Sequence, residues 1–280
     1  MRFEEKTVTV DGLKYAVRIH GDGHPLFALH GFSESSTTWD RLEISGFKVF
    51  AIDLIGHGKS VKPVKLAPYR LENILKNLDK LFKILAKNHP FSLLGYSMGG
   101  RLAVRYALAY PETPIEHLIL ESTGAGLSDE TEREKRRLSD AQLAEKIVKN
   151  GSVWFANFWG SVSLFDSQKE LDKKIQREIW TRRAENVPYA LANTLRGTGQ
   201  AELDYIGDKI GQIRPKILYI SGELDVKYSR IANEVFAVCD NVRSVSVSNT
   251  GHNVHLENPV AFNQIVTEYL AAGVCDIIEK

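Results

Sequence analysis

At 280 residues the chain has room for one α/β domain carrying an insertion, and its composition, 43% hydrophobic, 25% charged and 9% aromatic, excludes a largely disordered chain. Lys and Arg number 36 against 35 Asp and Glu, a formal net charge of +1, so no global field favours nucleic acid or an anionic membrane and any anion selectivity must come from locally placed cations. The only cysteines, Cys239 and Cys275, are too few for a disulfide framework and read as small apolar core residues of a protein in a reducing compartment.

The N-terminal stretch MRFEEKTVTVDGLKYAV alternates polar and apolar residues like a strand and lacks the apolar core and cleavage site of a signal peptide. No window reaches the roughly 18 uninterrupted apolar residues of a membrane span, so a cytoplasmic protein is expected. Short apolar runs followed by turn residues then recur at 25–29, 47–52, 91–95, 115–120, 216–220 and 243–247, the signal of buried strands. Between the second and third, Leu71, Ile74, Leu75, Leu78, Leu81, Phe82 and Leu85 fall at helical spacing. A second helix is predicted over 101–110, closed by Pro111, and a last one over 257–271. Strands alternating with such helices predict a mostly parallel sheet with helices on both faces. Residues 124–210 break the alternation with polar helical stretches and no buried strand. They are expected to form a helical lid over the carboxyl ends of the sheet, inserted into a core made of 1–123 and 211–280. Ser139 with Gln142 three positions on has the capping-box pattern of a helix start inside that insertion, ahead of a run that stops at Asn150 and Gly151.

The chemistry concentrates at the turns after these strands. Gly95-Tyr96-Ser97-Met98-Gly99 is a G-x-S-x-G motif in the strand-turn-helix setting it requires, which presents Ser97 Oγ at the sheet edge. Asp225 follows one later strand and His252 the next, so an imidazole can take the serine proton while a carboxylate fixes its orientation. Glu121, also at a strand end, is the rival acid. Upstream, His30-Gly31-Phe32 follows a strand, where the Phe32 N–H can join that of Met98 in an oxyanion hole. His30 and the Asp53-x-x-Gly56-His57-Gly58-x-Ser60 stretch read as loop architecture. His252 and His255 are three apart after a strand with no completing ligands, so no metal is expected, and the absence of a phosphate loop leaves nucleotide binding unsupported. No cofactor is implied.

Arginine tilts the reading away from a simple ester hydrolase. Arg101 lies one turn after Ser97, where a guanidinium can grip a carboxylate in bidentate fashion, the alternative being a structural ion pair. Arg136, Arg137, Arg182 and Arg183 add cations to the insertion, each either a solvated helix face or a ligand contact, and Trp159 serves either the lid core or the pocket wall.

At these residues a resemblance becomes specific. LHGF, DLIGHGKS, LLGYSMGGRLA, LILESTGAGL, EREKRRLSDAQLA, FWGSVSLFDSQ, LANTLRGTGQ, GELDVKY and TGHNVHLENP together resemble the 2-succinyl-6-hydroxy-2,4-cyclohexadiene-1-carboxylate synthase family of menaquinone biosynthesis, lyases of the alpha/beta-hydrolase superfamily. The likeness covers nearly the whole chain; GAG stands after LILEST where a serine-proline pair is common. It implies the alpha/beta-hydrolase fold and elimination of pyruvate from 2-succinyl-5-enolpyruvyl-6-hydroxy-3-cyclohexene-1-carboxylate. It also implies substrate contacts from Tyr96, Arg101, Arg136, Arg183 and Trp159, with Arg137 and Arg182 as neighbours able to take the places of the two lid arginines. The partner implied is a small anionic polycarboxylate, with neither nucleic acid nor membrane. A serine hydrolase of a small acidic substrate, an esterase or a carbon-carbon bond hydrolase, would keep the same triad.

Overall fold

The computed structural model describes residues 3–278, with side chains described up to residue 272, so the Cys275 side chain lies outside the described residues. Asp11 and Gly12 both take positive φ, 48° and 78°, as a two-residue hairpin turn demands. The alternating N-terminal stretch therefore splits into two antiparallel strands, β1 (Glu4–Val10) and β2 (Leu13–His20). Then follow β3 (His24–Leu29), β4 (Phe47–Ile52), α1 (Leu71–Ala86), β5 (Phe91–Tyr96), α2 (Met98–Ala109) and β6 (Ile115–Glu121). After a helical segment containing α3 (Glu130–Gly160), α4 (Lys173–Ala184) and α5 (Pro188–Thr198), the sheet resumes with β7 (Lys216–Gly222). It closes with α6 (Val226–Ile231), β8 (Val242–Val247), the single turn α7 (Val254–Glu257) and α8 (Pro259–Ile278). The last helix thus comes in two pieces, parted at Asn258 by Pro259.

The eight strands form one sheet in the order β1-β2-β4-β3-β5-β6-β7-β8. Only β1–β2 and β2–β4 pair antiparallel; every pairing from β4–β3 to β7–β8 is parallel. Apolar residues run without alternation because both faces are covered. Phe27 and Leu29 of β3 point into one core with Leu78 and Phe82 of α1 and Leu102 and Tyr106 of α2. Their neighbours Leu26 and Ala28 point into the other, with Trp39, Phe262 and Val266. Because β4 and β5 flank β3 on opposite sides, chain order reverses there, and the carboxyl ends open a crevice at which a ligand can sit.

The helical segment has its own small core of Ala144, Ile147, Phe155, Leu191, Ala192 and Leu195. Its first helix corrects the expected start at Ser139: α3 begins at Glu130, where the Asp129 carboxylate accepts from Glu132 N at 2.8 Å, and Ser139 lies inside the helix. The opening turns carry no apolar stripe because polar partners hold them, Arg133 on Asp204 at 3.0 Å and Arg136 on Gln200 at 2.8 Å. The expected stop does mark a break, since Gly151 takes φ 85° and kinks the helix.

Candidate active site

Ser97 sits at the N-terminus of α2 with φ 49° and ψ −104°, a conformation costly for a residue with a Cβ, and its own N–H donates to Glu121 O at 2.8 Å. The turn closes this tightly only with glycine behind it: a Cβ on Gly99 would lie 2.2 Å from Leu29 O. Asp225 follows β7 and caps α6, its Oδ1 accepting from Tyr228 N at 3.2 Å. Its Oδ2 lies 2.6 Å from His252 Nδ1, and His252 Nε2 lies 3.0 Å from Ser97 Oγ. With Nδ1–H donating to the aspartate, the Nε2 lone pair faces the serine hydroxyl, the arrangement a base needs. Asp225 and His252 are buried, and Tyr96, Phe165 and Tyr228 surround the imidazole at ring distances of 5.4, 5.9 and 4.6 Å.

Glu121 is not the acid of this histidine. It accepts from His255 N at 3.0 Å and from His255 Nδ1 at 2.7 Å, while His255 Nε2 accepts from the Thr38 hydroxyl at 2.7 Å and Trp39 stacks on its ring at 4.3 Å. Among the described residues no group of His, Cys, Asp and Glu is arranged to hold a metal ion. His30 is structural, donating from Nδ1 to Gly31 O at 2.7 Å and accepting from Leu54 N at 3.0 Å, and its burial lowers its pKa to about 4. Asp53 likewise accepts from Ser36 N and Lys59 N, at 2.6 and 2.7 Å.

Ser97 opens onto a cavity of about 380 Å³ between the sheet edge and the helical segment. Phe32, Met98, Arg101, Arg136, Trp159 and Asp225, all singled out by the sequence, share its wall. Met98 opens α2, so its N–H has no carbonyl one turn earlier and is available to a ligand. Arg101 is buried, its Nε has no partner among the described residues, and its one polar contact is a long 3.5 Å approach to Thr198 O. Burial pushes its pKa down to about 10. An under-partnered guanidinium in a cavity wall has donors free to receive an anion. Arg136 is held by Asp140 Oδ1 and Gln200 Oε1, each at 2.8 Å, with burial raising the Asp140 pKa against the pull of Arg136.

Other predicted contacts fall elsewhere. Tyr96 is buried against Gly31 and between His252 and His255, outside the cavity lining. Arg183 stacks on the Phe165 ring at 4.4 Å and donates to Gln168 Oε1 at 3.1 Å, on a neighbouring cleft. Arg137 pairs with Glu134 and Glu202. Arg182 makes a buried ion pair with Glu34 at 2.7 Å, joining α4 to the loop after β3. Burial favours a neutral Glu34, but the charges of Arg182 and Arg183 outweigh it and hold the carboxyl below its usual range.

Gln200, Lys227 and Tyr228 are among the cavity residues that the sequence did not single out. A signal existed for Tyr228. An aspartate capping a helix accepts from the N–H three residues on, which brings residue 228 back to Asp225.

The alpha/beta hydrolase fold family matches residues 24–259. A Bacillus subtilis (strain 168) protein named for 2-succinyl-6-hydroxy-2,4-cyclohexadiene-1-carboxylate synthase activity is 35% identical over 94% of this chain and 96% of its own length. The 2-succinyl-6-hydroxy-2,4-cyclohexadiene-1-carboxylate synthase of Enterobacter sp. (strain 638) is 30% identical over 90% of this chain and 93% of its own. The solved structure of MenH from S. aureus superposes with a TM-score of 0.86 at 30% identity, covering 92% of this chain and 98% of that one.

Proposed function

Because the chain belongs to the alpha/beta hydrolase fold family, and within it to the 2-succinyl-6-hydroxy-2,4-cyclohexadiene-1-carboxylate synthases, we propose that it eliminates pyruvate from 2-succinyl-5-enolpyruvyl-6-hydroxy-3-cyclohexene-1-carboxylate. The observation carrying the mechanism is that the Ser97–His252–Asp225 chain opens onto a cavity with Arg101 and Arg136 in its wall.

Asp225 orients His252, and the His252–Ser97 pair removes the proton from the ring carbon beside the succinyl ketone. Negative charge moves onto the ketone oxygen, where the N–H groups of Phe32 and Met98 stabilise it, an effect worth about 3 kcal/mol per donor in related sites. Departure of enolpyruvate completes the elimination, with no water consumed. The guanidinium of Arg101 receives one substrate carboxylate and that of Arg136 a second, while Trp159 walls the cavity. Residues 124–210 act as the lid that excludes water, and the Glu34–Arg182 pair fastens that lid to the core. Tyr96 supports the imidazole, and Arg183 acts through Phe165. The protein works on a small anionic molecule, and no helix among the described residues is long and apolar enough to cross a membrane.

The test follows pyruvate release and diene absorbance with enzymatically generated substrate, comparing wild type with Ser97→Ala and Arg101→Ala. One pyruvate per diene from the wild type is expected, falling by about 10³-fold or more in Ser97→Ala. Arg101→Ala is expected to raise KM about tenfold or more. No acceleration over background, together with a Ser97-dependent burst from p-nitrophenyl acetate, would leave the esterase reading instead.

A further inference from the structure

Tyr228 has no role in the scheme above, yet its hydrogen bonding is set by the groups around it. A guanidinium has donors only, so the Gln200 atom 2.8 Å from Arg136 Nη1 must be the carbonyl oxygen. The Gln200 amide nitrogen then faces Tyr228, donating to its hydroxyl oxygen at 2.9 Å. Among the described residues that is the phenol's one side-chain partner, and it occupies an acceptor position. The phenolic proton is left to point elsewhere from a buried ring that lines the cavity and packs 4.6 Å from His252. Arg136 thus sets the amide, and the amide sets the phenol as a donor. Three cations, Arg101, Arg136 and Lys227, are already in the wall to receive carboxylates. A neutral donor beside the base suits an oxygen that gains charge only during the reaction.

We propose that the Tyr228 hydroxyl is a catalytic residue that hydrogen-bonds the departing oxygen of the enolpyruvyl group. The inference rests on the elimination reading above and deepens it. The electrons of the C2–H bond form the C2–C3 double bond and those of the C3–C4 double bond shift to C4–C5. The C5–O bond breaks with its pair on the enolpyruvate oxygen. The proton passes to the Ser97–His252 pair and is returned to the enolate carbon, giving pyruvate. C2 and C5 are opposite corners of the six-membered ring, so base and leaving-group donor must flank the substrate. Tyr228 packs its ring beside His252 and engages Gln200 of the helical segment through its oxygen, both residues lining the cavity that Ser97 faces.

The test is Tyr228→Phe, which removes the oxygen and keeps the ring. The expected result is a kcat about 10- to 100-fold lower with KM within about twofold. Run in D2O, recovered substrate should carry deuterium at C2, because the enolate is reprotonated before its leaving group departs; wild type should show none. Gln200→Met, which lets the phenol turn, should give the same wash-in to a smaller extent, and a merely structural role would not move it. Unchanged kcat in Tyr228→Phe, or a lower kcat without deuterium in recovered substrate, overturns the assignment to the leaving oxygen. A wild type that releases no pyruvate would instead overturn the elimination reading itself.

Discussion

Two carboxylate–imidazole–hydroxyl chains lie side by side, with their histidines three residues apart. Asp225, His252 and Ser97 are linked at 2.6 and 3.0 Å; Glu121, His255 and Thr38 at 2.7 and 2.7 Å. By distance alone the second is the better relay. It differs in what its hydroxyl meets. Thr38 is 1% exposed and lines neither of the cavities described above. Ser97 stands on a strained turn at a helix start, beside Met98 and Phe32, facing the cavity. A hydrogen-bonded acid–base pair is therefore a common structural fastening, and what makes one reactive is access and the donors around its hydroxyl.

Neutralising both acids alike separates the two chains. Asp225→Asn should leave a folded protein whose kcat is about 10³- to 10⁴-fold lower, because the imidazole loses its orienting acceptor. Glu121→Gln should leave kcat within a few-fold and lower unfolding free energy by about 1–3 kcal/mol, read by urea denaturation, since its amide NH2 would meet one of the two His255 N–H donors and leave it unpaired. A large loss of kcat in a well-folded Glu121→Gln would show that the second chain also serves the reaction.

Sealed imidazoles should report through stability. The folded pKa of His30, about 4, lies below the ordinary value of 6.5, so the unfolded chain binds the proton first as pH falls. The stability this group provides is complete above 6.5 and is lost as pH falls toward 4, on the order of 3 kcal/mol. His30→Gln should flatten the denaturation profile in that window; an unchanged slope would place the acid sensitivity in other groups. The smallest contrast is between adjacent arginines. Arg136→Ala, on the cavity, should raise KM about tenfold, whereas Arg137→Ala, on exposed carboxylates, should change KM by less than about twofold.

The strands were legible because parallel strands covered on both faces leave unbroken apolar runs, and the meeting of Ser97, Asp225 and His252 because each lies just past the end of a strand. The start of α3 was hidden by a helix held through Arg133 and Arg136 rather than an apolar stripe. Family likeness led to Tyr96 and Arg183, but spacing cannot show that one ring fills the space above Gly31 or that the other guanidinium lies on Phe165. The Glu34–Arg182 pair spans 148 positions, beyond any local pattern. Gln200 and Tyr228 matter through each other, a pairing that exists only once the helical segment is folded over the sheet.

The left-handed backbone at Ser97 sets selection for activity against selection for stability at one codon. Glycine would relieve a strain of about 1–3 kcal/mol there, so drift freed from function should favour its loss. A descendant that kept the fold but abandoned the chemistry would become more heat-resistant by shedding that serine. A serine retained at that position is then itself a record of use.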